Sequence, residues 1–211
     1  KRNYDFNISV DNKSQLINFD KNSNKFFELL NLDKKKPTCF IFSHNLLDGN
    51  LQGKSIFIYK DYLSWLRETL KFINKLDNSI NWIIKEHPSN YGFSKIKTNL
   101  KKEYDSLIEE NKKNIKIFPE NFNREIIPKV ADGVVTLGST AGLEYSCLKI
   151  PCITSAGIFY SGNGFTIEYK SKSQYLNYLK HLSETLLIKK KKLKSDKAII
   201  NYYLIYEIMR F

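Results

Sequence analysis

From residue 37 onward the sequence alternates short apolar runs with longer amphipathic stretches, and this alternation constrains the fold more than any other feature. The runs are 38–43 (TCFIFS), 81–85 (NWIIK), 115–118 (IKIF), 133–137 (GVVTL) and 151–154 (PCIT). Each is rich in β-branched and aromatic residues and apolar at consecutive positions, the pattern of strands covered on both faces. Between the first two, Tyr62, Trp65, Leu66, Thr69, Leu70 and Ile73 recur at helical spacing behind Asp61, a fitting N-cap. Further helical stretches are 96–110 and 140–148, with a short one at 124–130. Strand and helix in alternation predict an α/β fold, an open parallel sheet of at least five strands with helices on both faces.

The alternation also divides the chain. Residues 1–36, rich in Asn and Lys, read as a lead-in or linker with a short helix around Phe26, Phe27, Leu29 and Leu30. Residues 37–190 form the α/β body, and 191–211 end in an apolar segment, AIINYYLIYEIM, expected to pack back as a helix. With 211 residues, 42% of them hydrophobic, the chain can bury roughly 70% of its unfolded surface, which excludes intrinsic disorder. No run of about 18 apolar residues is present to cross a bilayer. Cys39, Cys147 and Cys152 sit in or near apolar runs without metal-ligand spacing, and so read as buried thiols of the reducing cytoplasm.

A net charge of +12 raises nucleic acid and anionic membranes as partners. The 34 basic residues, however, are 30 Lys and only 4 Arg, and Arg is the side chain that clamps phosphates bidentately and reads bases. The cluster Lys189 to Lys192, with Lys194, reads as a solvated helical end. Attraction to a membrane surface, at about 1 kcal/mol per Lys, is the smaller alternative. No specific nucleic-acid partner is expected.

Ligands of an open parallel sheet bind at the carboxyl ends of its strands. Those positions hold Ser43-His44, then Glu86-His87-Pro88, Pro119-Glu120-Asn121, Gly138-Ser139-Thr140-Ala141-Gly142 and Ser155-Ala156-Gly157. His181 falls in a helical stretch and reads as structural. The turn of residues 138–142 runs from a strand into a helix, so its free N–H groups and dipole end suit a phosphate, with Ser139 or Thr140 as cap and hydroxyl donor. The same residues also suit an ordinary N-cap with close-packing glycines. The spacing is neither a Walker A loop nor the three-glycine dinucleotide fingerprint, so ATP and NAD lose support. Glu144 follows Thr140 on the same helical face, where its carboxylate can accept ribose hydroxyls or serve as a dipole-favoured first-turn residue. His87, held extended by Pro88, can donate to a phosphate oxygen or make a structural hydrogen bond. No cluster of side chains has metal-ligand spacing.

Two segments, IIKEHPSN and VADGVVTLGSTAGLEYSCLKIPCITSAGIFYSGNGFT, resemble the nucleotide-binding C-terminal half of bacterial capsule polysaccharide biosynthesis glycosyltransferases, the group that includes Kdo transferases. The segment DYLSWLRETLKFI is also similar to a helix of that family, and the likeness spans roughly His44 to Thr166. The resemblance implies half of a GT-B architecture, in which two Rossmann-like domains face a cleft. It implies a CMP-activated sugar such as CMP-Kdo as donor, no obligatory cofactor or metal, and a polysaccharide or glycolipid acceptor. The expected setting is the cytoplasm, with room for peripheral association at the inner face of its membrane. Carried onto this chain, it places His87 and Pro88 at the donor phosphate and cytidine. Ser139 and Thr140 fall at the phosphate, Glu144 at the ribose, and Tyr160, Gly164, Phe165 and Thr166 in a loop closing over the donor. His44 and Asp48 face the cleft as the nearest candidates for contact with sugar or acceptor, and no general base is assigned. A GT-B enzyme needs a second domain that residues 1–36 cannot supply, so the expectation is the donor half of a longer polypeptide, inactive by itself. Two other readings remain: a CDP-polyol phosphotransferase of the teichoic-acid type, and a non-enzymatic basic α/β module that binds nucleic acid.

Overall fold

In the computed structural model, which describes residues 17–19, 23–44, 58–87, 100–190 and 194–208, six parallel strands form one sheet in the order β3-β2-β1-β4-β5-β6. The strands are β1 (Thr38–Phe42), β2 (Asn81–Lys85), β3 (Ile115–Ile117), β4 (Gly133–Val135), β5 (Cys152–Ser155) and β6 (Ile167–Tyr169). Five lie where the apolar runs predict them. The sixth, β6, is a three-residue edge strand with Glu168 at its centre, too short and too polar to stand out as an apolar run.

The sheet is covered on both sides, which is why its strands are apolar at successive positions. On one face, Cys39, Ile41, Trp82, Ile84, Val135 and Ile153 meet α2 (Tyr62–Lys75), α3 (Leu100–Leu107), α6 (Lys172–Lys180) and α7 (Leu182–Lys190). Asp61 caps α2 as its sequence predicts, its carboxylate accepting the Ser64 N–H at 2.6 Å. Arg67 of α2 forks onto the nearly buried Glu103 of α3 at 2.6 and 2.7 Å, binding the two helices together. Ser171 caps α6 in the same manner as Asp61 caps α2.

The opposite face carries α1 (Asn24–Leu30), a 3-10 turn (Arg124–Ile126) leading into α4 (Ile127–Val130), α5 (Ala141–Cys147) and α8 (Ser195–Tyr203). The short helix of the N-terminal stretch is fastened to the sheet. Phe26 is fully buried among Phe19, Phe40, Phe118 and Phe122, with ring centroids 5.8 to 6.4 Å away. Asn31 ends α1 in the left-handed region that Asn tolerates, its N–H returning to Glu28. At the other end of the chain, Ala198 of α8 is buried beside α5, so the last apolar segment packs back.

If α1 belongs to the core, Phe26→Ala should lower unfolding free energy by about 3 to 5 kcal/mol. Leu29→Ala on the same helix, at a side chain 50% exposed, should stay within about 0.5 kcal/mol. Urea titration of both variants checks this.

Candidate functional site

Strand order reverses between β1 and β4: from β1 the chain builds outward through β2 and β3, and from β4 through β5 and β6. In open α/β sheets ligands bind at such a reversal, outside the carboxyl ends of the two central strands, and here the helices that follow those strands, α2 and α5, lie on opposite faces. Ser43 and His44 leave β1 there, and Thr136, Leu137 and Gly138 leave β4.

Side chains from separate parts of the chain hold the turn after β4. Thr136, buried at the strand end, accepts the Ser139 N–H at 3.3 Å and donates its hydroxyl to Ser139 Oγ at 3.0 Å. The Gly138 N–H donates to Nε2 of His44 at 3.1 Å, and Tyr160 donates its hydroxyl to the Ser139 carbonyl at 2.7 Å. Gly142 lets this arrangement close, since a Cβ there would strike the Tyr160 hydroxyl. The helical cap expected of Ser139 or Thr140 does not form: Ser139 Oγ is engaged by Thr136, and the Thr140 side chain makes no capping bond.

His44 is nearly buried, stacked on Tyr62 at 4.0 Å between centroids and 13° between planes, with Trp65 edge-on at 6.2 Å. Burial, reinforced by the charge His87 would carry, lowers its pKa to about 3. The imidazole is therefore neutral near pH 7. Because Nε2 accepts from a backbone N–H, the proton resides on Nδ1. His44 thus fixes the position of Gly138. The His87 N–H donates to Ser43 Oγ at 3.1 Å, which ties the exit of β2 to that of β1.

Glu144 lies in the first turn of α5, partly exposed, its N–H bonded to the Thr140 carbonyl at 2.9 Å. Tyr160 and Phe165 are buried and stacked 6.0 Å apart. Glu168 closes their loop by accepting the Gly162 N–H at 2.7 Å and the Thr166 hydroxyl at 3.3 Å, while Gly162 and Gly164 take φ values of 80° and 78°. Of the predicted residues, the fold therefore gathers His44, Ser139, Thr140 and Tyr160 about one turn, with Glu144 one helical turn along and His87 at the neighbouring strand end. Phe165, stacked on Tyr160, and Thr166 are both buried. Pro88 and Asp48 lie outside the described residues. His181, at the exposed C-terminal end of α6, is remote in role, its Nδ1 3.2 Å from the Asn177 carbonyl of its own helix.

Sequence reasoning passed over Thr136 and, though it placed Ser43 at a strand end, gave it no role. Thr136 had a signal, a hydroxyl at the end of the run GVVTL, whereas the Ser43 contact depends on the register of β1 against β2. Cys39 and Cys152 are buried and Cys147 is half-buried, and desolvation raises all three thiols, that of Cys39 well above its ordinary range, that of Cys147 to about 11 and that of Cys152 to about 12. Among the described residues no three His, Cys, Asp or Glu side chains gather into a metal-ligand group, and no helix is long and apolar enough to cross a membrane.

The His44 assignment predicts a pH dependence of stability. Its folded pKa, about 3, is below the ordinary 6.5, so the unfolded chain takes up the proton first and stability falls as pH drops from about 6.5 toward 3. Near pH 5 this one group should contribute a slope of about 1.4 kcal/mol per pH unit. Melting followed from pH 7 to 4.5 should show a steeper decline for the wild type than for His44→Gln, which keeps an acceptor but does not titrate.

No curated protein matches the sequence. Among solved structures, the wall teichoic acid polymerase TagF is similar at 12% identity and a TM-score of 0.51, over 89% of this chain and 47% of that one. An S. aureus MnaA structure with UDP is similar at 8% identity and a TM-score of 0.49, over 87% of this chain and 48% of the other. The spinosyn rhamnosyltransferase SpnG, solved with spinosyn aglycone, is similar at 12% identity and a TM-score of 0.45, over 83% and 45%. At these identities the likeness is one of fold, and this chain spans less than half the length of each structure. A family described as capsule polysaccharide biosynthesis protein matches residues 31–203, a stretch that takes in all six strands, the reversal and the turn after β4. By that match the chain belongs to the capsule polysaccharide biosynthesis protein family.

Proposed function

We propose that this chain is the donor-binding half of a nucleotide-sugar-dependent glycosyltransferase of capsule or other surface polysaccharide synthesis. The donor is a CMP-linked sugar such as CMP-Kdo, and the acceptor is a polysaccharide or glycolipid. The observation that carries the reading is the reversal of strand order between β1 and β4 in a member of the capsule family, with a small-residue turn and a helix start at the carboxyl end of β4. In this reading the turn at Ser139 and Thr140 receives the donor phosphate. Glu144 accepts ribose hydroxyls, and His87 with Pro88 borders the phosphate and cytidine. His44 and Tyr160 keep the turn in place from behind. The loop with Gly164, Phe165 and Thr166 lines the donor side, and Asp48 belongs to the loop facing the acceptor. No metal or cofactor is called on. A lipid-borne acceptor would bring the protein to the inner face of the cytoplasmic membrane, a setting that the lysine excess favours.

The fold likeness to a wall teichoic acid polymerase favours, as the second reading, transfer of a polyol phosphate from a CDP-linked donor. Both readings require cytidine.

Calorimetric titration should show CMP or CDP binding in preference to UMP, AMP and NAD. Equal or tighter binding of AMP would remove the cytidine claim. Glu144→Gln should weaken CMP by roughly 10- to 150-fold, the loss of a charge-assisted hydrogen bond, while the ligand-free melting midpoint stays nearly constant. A fall in stability with affinity intact would assign Glu144 to the fold instead.

A further inference from the structure

One cation at the carboxyl edge of the sheet plays no part in the phosphate and ribose contacts proposed above. Lys85 is the last residue of β2 and half-buried, and its backbone carbonyl accepts the Ser43 N–H at 3.0 Å, beside the strand end that carries His44. Strand alternation puts its side chain on the face that bears α5, since Ile83, two positions earlier, belongs with Phe40 and Phe118 to the core of that face. Nζ of Lys85 stands 5.4 Å from the centre of the Phe118 ring and donates to the Glu86 carbonyl at 3.1 Å, so the amine is turned along the strand toward its carboxyl end. Between β2 and β4 lies β1. Its Phe42 is half-buried, in register with Lys85, and its ring centroid is 5.1 Å from that of Tyr145 on α5, the neighbour of Glu144.

We propose that Lys85 recognises the base of the nucleotide, its ammonium donating to N3 of cytosine, the ring acceptor that uracil lacks. The inference rests on the nucleotide reading above and names the residue that makes the site prefer cytidine. In the order β2-β1-β4, Lys85 is two strand spacings, about 10 Å, from the turn assigned to the phosphate. That is the reach of a nucleoside monophosphate from its phosphate to the far edge of its base. Phe42 and Tyr145 offer flat apolar surface between the two ends, with Glu144 on the side of the ribose. Partial burial lowers the pKa of Lys85, the carboxylates of Glu86 and Glu120 opposing that shift and Arg124 adding to it. A cation short of water gains from each further acceptor. An ammonium carries three donors and no acceptor, so it pairs with the lone pair at N3 of cytosine and opposes the N3–H of uracil. A site built to pair with one base discriminates against the other.

The test is calorimetric titration of the full 211-residue chain, wild type and Lys85→Met, with CMP, UMP and 3-deaza-CMP, in which a C–H replaces N3, and with ligand-free melting measured on the same preparations. Methionine keeps an unbranched apolar stem beside Phe118, so the melting midpoint should hold. Lys85→Met should weaken CMP about tenfold and UMP by less than about twofold. 3-Deaza-CMP should bind the wild type about as weakly as CMP binds the variant, and the variant should bind it little worse, because both changes remove the same bond. Equal losses for CMP and UMP would assign Lys85 to the phosphate and overturn the proposal, as would additive losses or an unchanged CMP affinity in Lys85→Met. Equal affinity of the wild type for CMP and 3-deaza-CMP overturns it as well, whatever the stability of the variant. Glu144→Gln in the same series separates the two readings. If it weakens CMP and UMP alike while Lys85→Met changes neither, the nucleotide site stands and the role of Lys85 falls. Absence of CMP binding by the wild type overturns both.

Discussion

The hydrogen bond from the Gly138 N–H to Nε2 of His44 joins the two strands between which the sheet reverses its order. On it depends the course of the chain out of β4, and through that the start of α5 and the places of Ser139, Thr140 and Glu144. The bond requires an imidazole that remains neutral, and the surroundings secure this: Tyr62 covers one face of the ring, Trp65 meets it edge-on, and burial holds its pKa far below the physiological range. A charged His44 would turn Nε2 into a donor facing the Gly138 N–H and lose the bond that holds that glycine. The same strand end that the sequence marks as a site candidate thus serves to shape the neighbouring strand's turn.

Around that bond the turn is held from several directions. Thr136 engages Ser139 from the strand end, Tyr160 takes the Ser139 carbonyl from the loop after β5, and Gly142 provides the space for the Tyr160 ring. Side chains that do this work are unavailable to a ligand, and Tyr160 is buried for this reason. Beyond these contacts Thr140 is exposed and Glu144 partly so. Donors fixed before a ligand arrives avoid the entropic cost of ordering them on binding.

Much of this was legible in the sequence. Five strands announce themselves because a parallel sheet covered on both faces demands consecutive apolar residues, and the cap at Asp61 follows from local chemistry alone. The edge strand β6 was hidden because three residues with a central Glu168 carry no periodicity. The positions 138 to 144 stood out because a strand that meets a small-residue turn and then a helix is a local pattern. Which side chains brace that turn was illegible, since His44 and Tyr160 reach it across 94 and 21 positions of sequence, distances that only the strand order closes. The expected cap at α5 failed because Thr136, three positions earlier, engages the Ser139 hydroxyl, and the Thr140 side chain makes no capping bond.

The most direct test of the β1–β4 reversal as a nucleotide site is a backbone amide NMR titration of isotope-labelled protein with CMP. The account predicts saturable shifts centred on the amides of Ser139, Thr140, Ala141 and Glu144 with His87, and small shifts at β3 and α3 on the far side of the sheet. Shifts concentrated away from the turn after β4, or none at millimolar CMP, would contradict it.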